Sequence, residues 1–476
     1  MLLAGCALGP DFHPPDAPSG PAMPDLPQAT VASDTLAGAR QAFAAGRDIA
    51  GDWWSAFNSR QIADMVQQAL KANPDLASAQ ATLRQARENL RAETGSYFPT
   101  VSATAGPSRQ KVLADTNSLY TLYSGSLNVS YTLDVFGGTQ RQVEELSATA
   151  DYQQHELEAA YLSLTANLVT AILTESSMKA QVDETQALIK LYSDALTITR
   201  HRFEVGGVSR AEVLQQESSL ASEVATLPGL QKQYSQQRNV VAAYLGILPG
   251  ADHWPTIDLA SLKLPGDLPA AVPSKLVRQR PDILANEAQL HEAMAAVGVA
   301  TANLYPQFTL SASYGRESED IAKIFTPSGL VWSLAGSMTQ TLFDGGTLRA
   351  KKRASEAALD VAAANYSSTL NSAFKDVANT LVAIEADART LMAQQDSERT
   401  AAASLSVTRA QFMAGATSYL NLLQSEQTYQ SARLNLISAQ AARFTDTVAL
   451  YQSLGGGWWN REDVAPKTDI CCGLLP

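Results

Sequence analysis

The sequence is poor in the residues from which metal sites, disulfide frameworks and nucleic-acid-binding surfaces are built. It has five histidines, scattered singly along the chain, and three cysteines, of which Cys471 and Cys472 are adjacent. The formal net charge is -12, whereas binding to nucleic-acid phosphates requires clustered lysine and arginine. These shortages exclude an ordinary disulfide framework and predict that nucleic acid is not a partner.

Long apolar runs are also missing. No stretch approaches the roughly 18 consecutive apolar residues of a membrane-spanning helix, so we expect entry into a membrane only through β-structure or an attached lipid. The sequence has no phosphate-binding Gly-Lys-Ser/Thr loop and no histidine pair with metal spacing. No serine stands in a nucleophile turn with plausible histidine and aspartate partners. We therefore expect no enzymatic activity, no cofactor and no metal site.

The N-terminus has the form of a bacterial lipoprotein processing site. Leu-Ala-Gly at 3–5 precedes Cys6, whose thiol would accept a diacylglyceryl group that carries acyl chains such as palmitate. Only five residues precede Cys6, fewer than a signal segment has. The proline-rich stretch that follows, as far as Pro27, predicts an extended tether. Because one lipid chain anchors a protein only weakly, the body of the protein should also hold the membrane.

Two halves of the chain repeat the same landmarks in the same order. Asn-Pro-Asp-Leu at 73–76 recurs as Arg-Pro-Asp-Ile at 280–283, and Gly-Gly-Thr at 137–139 recurs at 345–347. The offset between matching residues grows only from 207 to 209 along the chain. The sequence therefore predicts a duplicated unit. The expected organisation is a lipidated tether at 1–56, repeats at 57–250 and 273–456, a connector at 251–272 and a C-terminal tail at 457–476.

Each repeat contains stretches in which apolar and small polar residues alternate, as they do over 123–134 and 330–342. With their partners they predict two strands per repeat, at about 98–134 and 305–343, with polar loops at 107–121 and 316–328. Such alternation commonly marks a soluble sheet with one buried face. Small polar residues opposite bulky apolar ones, in strands of about ten residues, favour the wall of a membrane barrel instead. Four strands cannot close a barrel and an open edge in lipid is costly, so several chains must contribute, and three chains would give twelve strands.

Charged residues are scarce, at 17% of the chain against about 25% in typical proteins, which suits helices packed on one another. The stretches 139–205 and 347–414 contain neither glycine nor proline, and each predicts one very long helix. Apolar residues in them recur at alternating steps of four and three, a heptad seam for helix against helix. After glycine turns the chain should return as helices over 209–246 and 417–453. The predicted fold class is therefore mixed α + β and mostly α, in a membrane protein.

Motifs from one end of the chain to the other carry a family resemblance. They are Cys6 with Gly-Pro-Asp-Phe at 9–12, Trp-Trp at 53–54 with Phe57, Arg-Pro-Asp-Ile at 280–283, Phe-Asp-Gly-Gly at 343–346, Gly-Ala-Thr-Ser-Tyr-Leu at 415–420 and Leu-Gly-Gly-Gly-Trp at 454–458. Together and in this order they resemble the outer-membrane factors of the TolC superfamily, and within it the NodT/OprM-type efflux lipoproteins.

The resemblance implies a homotrimer that forms a twelve-stranded barrel in the outer membrane, above a periplasmic α-helical barrel. It also implies a mixed equatorial belt, which would start within 1–56 and hold the connector 251–272. It implies a passive exit channel of a tripartite pump that exports drugs or other small molecules. The implied partners are a periplasmic adaptor (membrane fusion) protein, an inner-membrane pump of the resistance-nodulation-division (RND) type and outer-membrane lipid.

The resemblance also locates a candidate gate at the turns between long and return helices. In relatives of this type a leucine, and an acidic residue four positions on, ring a closed aperture and favour cations. The leucine maps to Leu420 and the acidic position to Gln424, so no strong cation-selective ring is implied at this height. Glu426 would point roughly 200° away on a helix. The turns would form the tip to which the adaptor docks, with Gly206, Gly207, Gly415 and Ser418, and opening would rotate the second helix pair outward. Acidic residues near the tips, among them Glu204, Glu212, Glu217 and Glu426, are interpreted as surface charge.

Two other functions fit parts of the pattern. A TolC-like exit duct for type I protein secretion would share the architecture, although the lipoprotein start favours the drug-pump group. A soluble trimeric coiled-coil scaffold would explain the long helices, but not the alternating strand pairs at matching points of both repeats. Fractionation separates the scaffold from a channel, which should appear in outer membranes as a heat-modifiable oligomer.

Overall fold

The structure is a computed structural model that describes residues 7–16, 27–112, 118–250, 254–270 and 273–461. The predicted lipidation site Cys6, as well as Cys471 and Cys472, lies outside these residues. The described part contains eight α-helices: α1 Arg60–Ala72, α2 Pro74–Thr94, α3 Gly138–Glu204, α4 Arg210–Tyr244, α5 Pro273–Gln279, α6 Pro281–Ala302, α7 Thr347–Met413 and α8 Tyr419–Ser453. It contains six strands: β1 Ala42–Ala45, β2 Thr100–Val112, β3 Ser118–Leu133, β4 Asp267–Ala270, β5 Gln307–Ser318 and β6 Leu330–Thr339.

The element order repeats along the chain. A helix, two strands, a 67-residue helix and a 35-residue helix occur first as α2, β2, β3, α3 and α4. The same series recurs as α6, β5, β6, α7 and α8. The long helices were predicted over 139–205 and 347–414, and the structure has them over Gly138–Glu204 and Thr347–Met413.

The heptad residues of the long helices are buried or half-buried. In α3 the buried heptad residues are Leu157, Tyr161, Leu164, Leu168 and Ala171. In α7 the first two heptad residues, Leu370 and Phe374, are half-buried. The next five are buried, namely Val377, Leu381, Ile384, Ala388 and Leu391. The repeating steps of four and three therefore mark the faces along which these helices pack.

By length and composition α3 could span a membrane, which the sequence, lacking an unbroken apolar run, does not predict. However, 61% of its most apolar window is buried inside the protein. Core helices of soluble proteins pass the same test, so this one helix is weak evidence for a membrane span.

The chain folds into two compact units, and each draws on both predicted repeats. The first unit comprises Met1–Asp16, Ala81–Gln154 and Ala285–Ser368. It contains an antiparallel sheet with the strand order β2-β3-β5-β6, in which β3 pairs with β5 from Tyr123–Ser318 to Leu133–Phe308. This pairing joins the strand pair of the first half of the chain to that of the second.

The strands of the first repeat are longer than the sequence predicted. A loop was expected over 107–121, but β2 continues through Pro107 to Val112, and β3 begins at Ser118. Pro107 is compatible with the ladder because β2 is an edge strand, whose outward N–H positions need no partner within the sheet. The second loop was expected over 316–328, where β5 continues to Ser318 before two short turns of 3-10 helix.

The second unit comprises Ala17–Gln80, His155–Leu284 and Thr369–Pro476. Its core includes Trp53 and Phe57 from a turn of 3-10 helix, with Phe57 packed against Phe444 of α8. The short strand β1 pairs in parallel with β4. N-terminal and connector residues are thus built into the same unit as the ends of the return helices.

The residue before the proline of the repeated motif acts alike in both halves. Asn73 Nδ2 donates to the carbonyl oxygen of Tyr244, the last residue of α4, at 3.1 Å. Arg280 Nη1 donates to that of Ser453, the last residue of α8, at 3.0 Å. The final carbonyls of a helix have no partner within it, so both motifs fix the end of a return helix.

Candidate functional site

The two turns between long and return helices have the same local geometry. Gly206 and Gly415 have φ of +78° and +74°, a left-handed conformation that side chains with a Cβ rarely adopt. The amide of Gly207 donates to Arg202 O at 2.7 Å, and that of Ala416 to Gln411 O at 2.8 Å. These bonds satisfy carbonyls left open at the helix ends, as in a Schellman motif. The predicted tip glycines therefore end the two longest helices.

A serine begins each return helix. Ser209 Oγ accepts a hydrogen bond from the amide of Glu212 at 3.3 Å, and the Glu212 side chain returns a contact to complete a capping box. Ser418 Oγ accepts from the amide of Asn421 at 3.4 Å. Both serines are N-caps. Asn421 occupies the same position after Ser418 that the acidic Glu212 occupies after Ser209.

The first turns of α8 present two different faces. Tyr419, Leu422 and Leu423 are buried in a cluster with Leu405 of α7. Leu420 is 66% exposed, and Gln424, four residues on and thus on the same face, is also exposed. The two candidate gate residues therefore point away from the chain's own core.

Glu426 is not the surface charge that the sequence suggested. Its side chain is 3% exposed, and Arg409 Nη2 of α7 donates to its Oε1 at 3.3 Å. Burial raises the pKa of Glu426, and the Arg409 charge opposes that shift. Its spacing of three and four residues from Leu423 and Leu422 was the signal for a buried position.

The other acidic residues near the turns behave as predicted surface charges. Glu204 is largely exposed and Glu212 caps α4. Glu217 pairs with Arg200 at 2.7 Å, with both side chains partly exposed to solvent. Exposed pairs of this kind contribute little to stability, about 0–1 kcal/mol.

Polar contacts that the sequence did not reveal tie α8 to the first helix pair. Gln430 Nε2 donates to Glu223 Oε1 of α4 at 2.5 Å, and Tyr419 Oη to Ser219 Oγ at 3.4 Å. Arg433 Nε of α8 lies 3.2 Å from an oxygen of Glu184 on α3. These side chains look like ordinary solvated helix positions in sequence, because their burial depends on which helices meet.

A pair of carboxyl groups, Asp387 on α7 and Asp446 on α8, is expected to make stability depend on pH. Desolvation and then the Asp446 charge raise the pKa of Asp387 from 3.8 to about 7. Between pH 3.8 and about 7, Asp387 holds a proton in the folded protein that it lacks in the unfolded chain. The free energy of unfolding therefore falls as pH rises through this range. Asp387→Asn should be about 1–2 kcal/mol more stable than the parent at pH 8, discounted because Asp387 is only half-buried. Thermal denaturation at several pH values measures this.

The advantage of Asp387→Asn should shrink as pH falls toward 4. Asp360→Asn on the exposed face of α7 is the control, and it removes the same charge without relieving such a pair. An equal effect of both substitutions at every pH would contradict the assignment.

No group of three or more histidine, cysteine, aspartate or glutamate side chains in the described ranges could hold a metal ion. The candidate site consists of the two turns between long and return helices, the exposed Leu420 and contacts between helices.

Comparison with known proteins identifies the family. A family model described as "Outer membrane efflux protein" matches residues 65–247 and 272–456, two stretches that nearly coincide with the predicted repeats. The chain is 28% identical over 468 residues to the probable efflux pump outer membrane protein TtgC of Pseudomonas putida, covering 97% of this chain and 94% of the relative. It is 31% identical over 445 residues to the pyoverdine export outer membrane protein OpmQ of Pseudomonas aeruginosa, covering 89% and 92%.

A solved structure described as the outer-membrane channel OprN superposes with a TM-score of 0.85 at 27% identity, covering 95% of this chain and all of that one. The fold and the sequence therefore indicate the same family, and the mostly helical architecture is that of these channels. The chain belongs to the outer membrane efflux protein family, whose members are transport channels of the outer membrane and not enzymes.

Proposed function

We propose that three copies of the chain assemble into the passive exit channel of a tripartite efflux pump. In this assembly the strands of three chains close a twelve-stranded barrel in the outer membrane. The long helices form a periplasmic α-barrel that meets a periplasmic adaptor and an inner-membrane RND-type pump. The cargo is drugs or other small molecules, selected by the pump. The observation that carries the proposal is the exposed, open-edged sheet of the first compact unit.

One face of that sheet is apolar and open to the surroundings. The strand register places Leu127 beside Tyr314, and Tyr314 beside Trp332, so apolar side chains form rows across neighbouring strands. Trp332 is 72% exposed and Leu334 is 74% exposed. A soluble sheet would bury this face in its own core. Contact with lipid explains why the chain leaves it uncovered.

The opposite face is lined by small polar side chains. Thr104 Oγ1 and Ser126 Oγ lie 3.0 Å apart across β2 and β3, and Ser313 Oγ and Ser333 Oγ lie 2.8 Å apart across β5 and β6. A surface of hydroxyl groups suits a water-filled lumen. The division into a bulky apolar face and a small polar face is that of a barrel wall.

The sheet also has two free edges within the described chain. The strand order leaves one side of β2 and one side of β6 without a neighbour. Unpaired backbone groups in lipid each cost several kcal/mol. Pairing β6 of one copy with β2 of the next removes every edge once three copies close a ring of twelve strands. The proposal therefore accounts for the edges and the apolar face together.

Membrane attachment has a second proposed component, acylation of Cys6. The Leu-Ala-Gly-Cys pattern supports it, and the acyl chains attached to Cys6 would add to the hold of the barrel. The two repeats at 57–250 and 273–456, with the connector at 251–272 in an equatorial belt, remain our assignment of the domains. The family matches at 65–247 and 272–456 support that assignment.

The gate is proposed at the exposed face of α8, with Leu420 as the constriction and Gln424 one turn above it. Outward rotation of α7 and α8 would open it, and the contacts of Gln430 with Glu223 and Arg433 with Glu184 would break or rearrange. Gly206, Gly207, Gly415 and Ser418 would shape the tip that receives the adaptor.

Conductance in planar bilayers tests the channel and its gate. The purified protein should insert as a trimer and form a pore, and Leu420→Ala should raise its mean conductance about twofold or more, because three side chains are shortened at one constriction. Leu214→Ala, which shortens an exposed leucine of α4, is the matched control and should leave conductance near that of the parent. A protein that forms no pore would refute the proposed function, whereas a pore unaffected by Leu420→Ala would refute only this gate.

A further inference from the structure

A buried arginine at the start of α3 binds the chain's own N-terminal segment. The Arg141 side chain is 4% exposed. Its Nε donates to Leu8 O at 3.1 Å, and its Nη2 to Asp11 Oδ1 at 2.7 Å. Its Nη1 donates to Glu144 Oε2 at 2.7 Å. A buried guanidinium needs such partners, and residues 7–13 supply part of the set.

The far side of the segment rests on α6. The Phe12 ring stacks on His291 with centroids 4.3 Å apart and an interplanar angle of 16°. His291 Nε2 lies 2.9 Å from Glu144 Oε1, so Glu144 contacts both the arginine and the histidine. Residues 7–13 are therefore held by one side chain of α3 and one of α6 that share an acidic neighbour.

Glycines let the backbones approach closely. Gly9 has φ of +105°, and a Cβ there would lie 2.5 Å from the Cα of Gly298 on α6. A Cβ on Gly137, just before α3, would lie 2.5 Å from the Cα of Ala7. In addition, the Leu8 amide donates to Phe136 O at 3.3 Å. At Gly9 and Gly137, any residue other than glycine would place its Cβ against neighbouring backbone, as expected of a dedicated binding site.

We infer that Arg141, Glu144, His291 and Gly298 form a receptor site for residues 7–13, and that this bound segment fastens α3 to α6. The fastening crosses the junction of the two halves, because α3 follows β3, α6 leads into β5, and these two strands pair with each other. It depends on protein contacts and not on acylation.

Hydrogen–deuterium exchange of the full-length protein in detergent, followed by mass spectrometry, tests this site. In the parent, the Leu8 amide and the β3–β5 junction should be protected. Gly9→Ala, whose Cβ meets the backbone of Gly298, and Asp11→Asn, which removes the charge that faces Arg141, should speed exchange of residues 7–13 about tenfold. Gly9→Ala should also speed exchange at the β3–β5 junction. His13→Ala is the matched control, because His13 lies exposed in the same segment.

Three outcomes would overturn the inference. The first is exchange of residues 7–13 in the parent at the rate of an unstructured peptide. The second is a Gly9→Ala protein whose segment and junction are as well protected as those of His13→Ala. The third is loss of protection of residues 7–13 in Cys6→Ser, which should keep it, because such a loss would mean that lipid holds the segment. Arg141→Ala is not needed, so misfolding of a core variant does not decide the result. Bilayer conductance reports separately on the proposed channel.

Discussion

Arg443→Ala is expected to lower the free energy of unfolding by about 3–5 kcal/mol, the range for breaking a buried charged network. The Arg443 side chain is 1% exposed in α8. Its Nη1 donates to Ile384 O of α7 at 3.0 Å, and its Nη2 and Nε donate to Ala39 O and Ala37 O at 3.0 and 3.4 Å. Truncation would leave two buried carbonyls and one partly buried carbonyl with a lost partner, and a cavity of several carbon atoms.

The same side chain holds a strained stretch of backbone. Ala37 has φ of +60°, which costs a residue with a Cβ about 1 kcal/mol or more. The bonds from Arg443 to Ala37 O and Ala39 O fix the N-terminal region in this conformation against α8. In Arg443→Ala we therefore expect residues 37–39 to become more mobile and the contact between α7 and α8 to weaken.

Thermal unfolding of the purified protein, followed by intrinsic fluorescence, measures the effect of Arg443→Ala. Arg399→Ala in α7 is the matched control, because that side chain is 75% exposed and pairs only at the surface, with Asp396. It should change stability by less than about 0.5 kcal/mol. Arg443→Lys should fall between them, since one ammonium cannot reach three carbonyls spread around a planar guanidinium. Equal melting of the two alanine variants would contradict this account of Arg443.

The helices could be predicted closely because their signals are local. Stretches free of glycine and proline, heptad spacing and turn glycines lie in the sequence itself, and the long helices agree with prediction within one residue at each end. The strands were predicted less well. The ladder extends β2 through Pro107 to Val112 because β3 runs alongside it, and this pairing depends on a segment farther along the chain.

The candidate gate could be placed by resemblance, but its surroundings could not. Leu420 and Gln424 follow from the motif around Gly415. Glu426, Arg443 and Arg141 look like ordinary polar helix positions, and only the packing of other segments buries them. The carbonyls that hold Arg443 lie at 37, 39 and 384, far from it in sequence. Buried charges of this kind have no local signature beyond their spacing from apolar neighbours.

Leu334→Lys should remove most of the assembled protein from the outer membrane, whereas Ser333→Lys should not. The two residues are neighbours on β6, so their side chains lie on opposite faces of the sheet. Leu334 pairs with Ala312 and belongs to the apolar face, and Ser333 pairs with Ser313 on the polar face. A lysine facing the middle of the bilayer costs about 2–4 kcal/mol, and a lysine in a water-filled lumen costs little.

Three copies per barrel multiply the difference between these variants, since every subunit carries the substitution. The measurement is the amount of heat-modifiable oligomer in the outer-membrane fraction, with total protein as the reference. Leu334→Lys should lower this ratio at least about tenfold, because a cost of 1.4 kcal/mol already gives a factor of ten. Comparable loss for Ser333→Lys would mean that the polar face is packed against protein. An undiminished oligomer for Leu334→Lys would mean that the apolar face does not meet lipid, and the proposed barrel would fail with it.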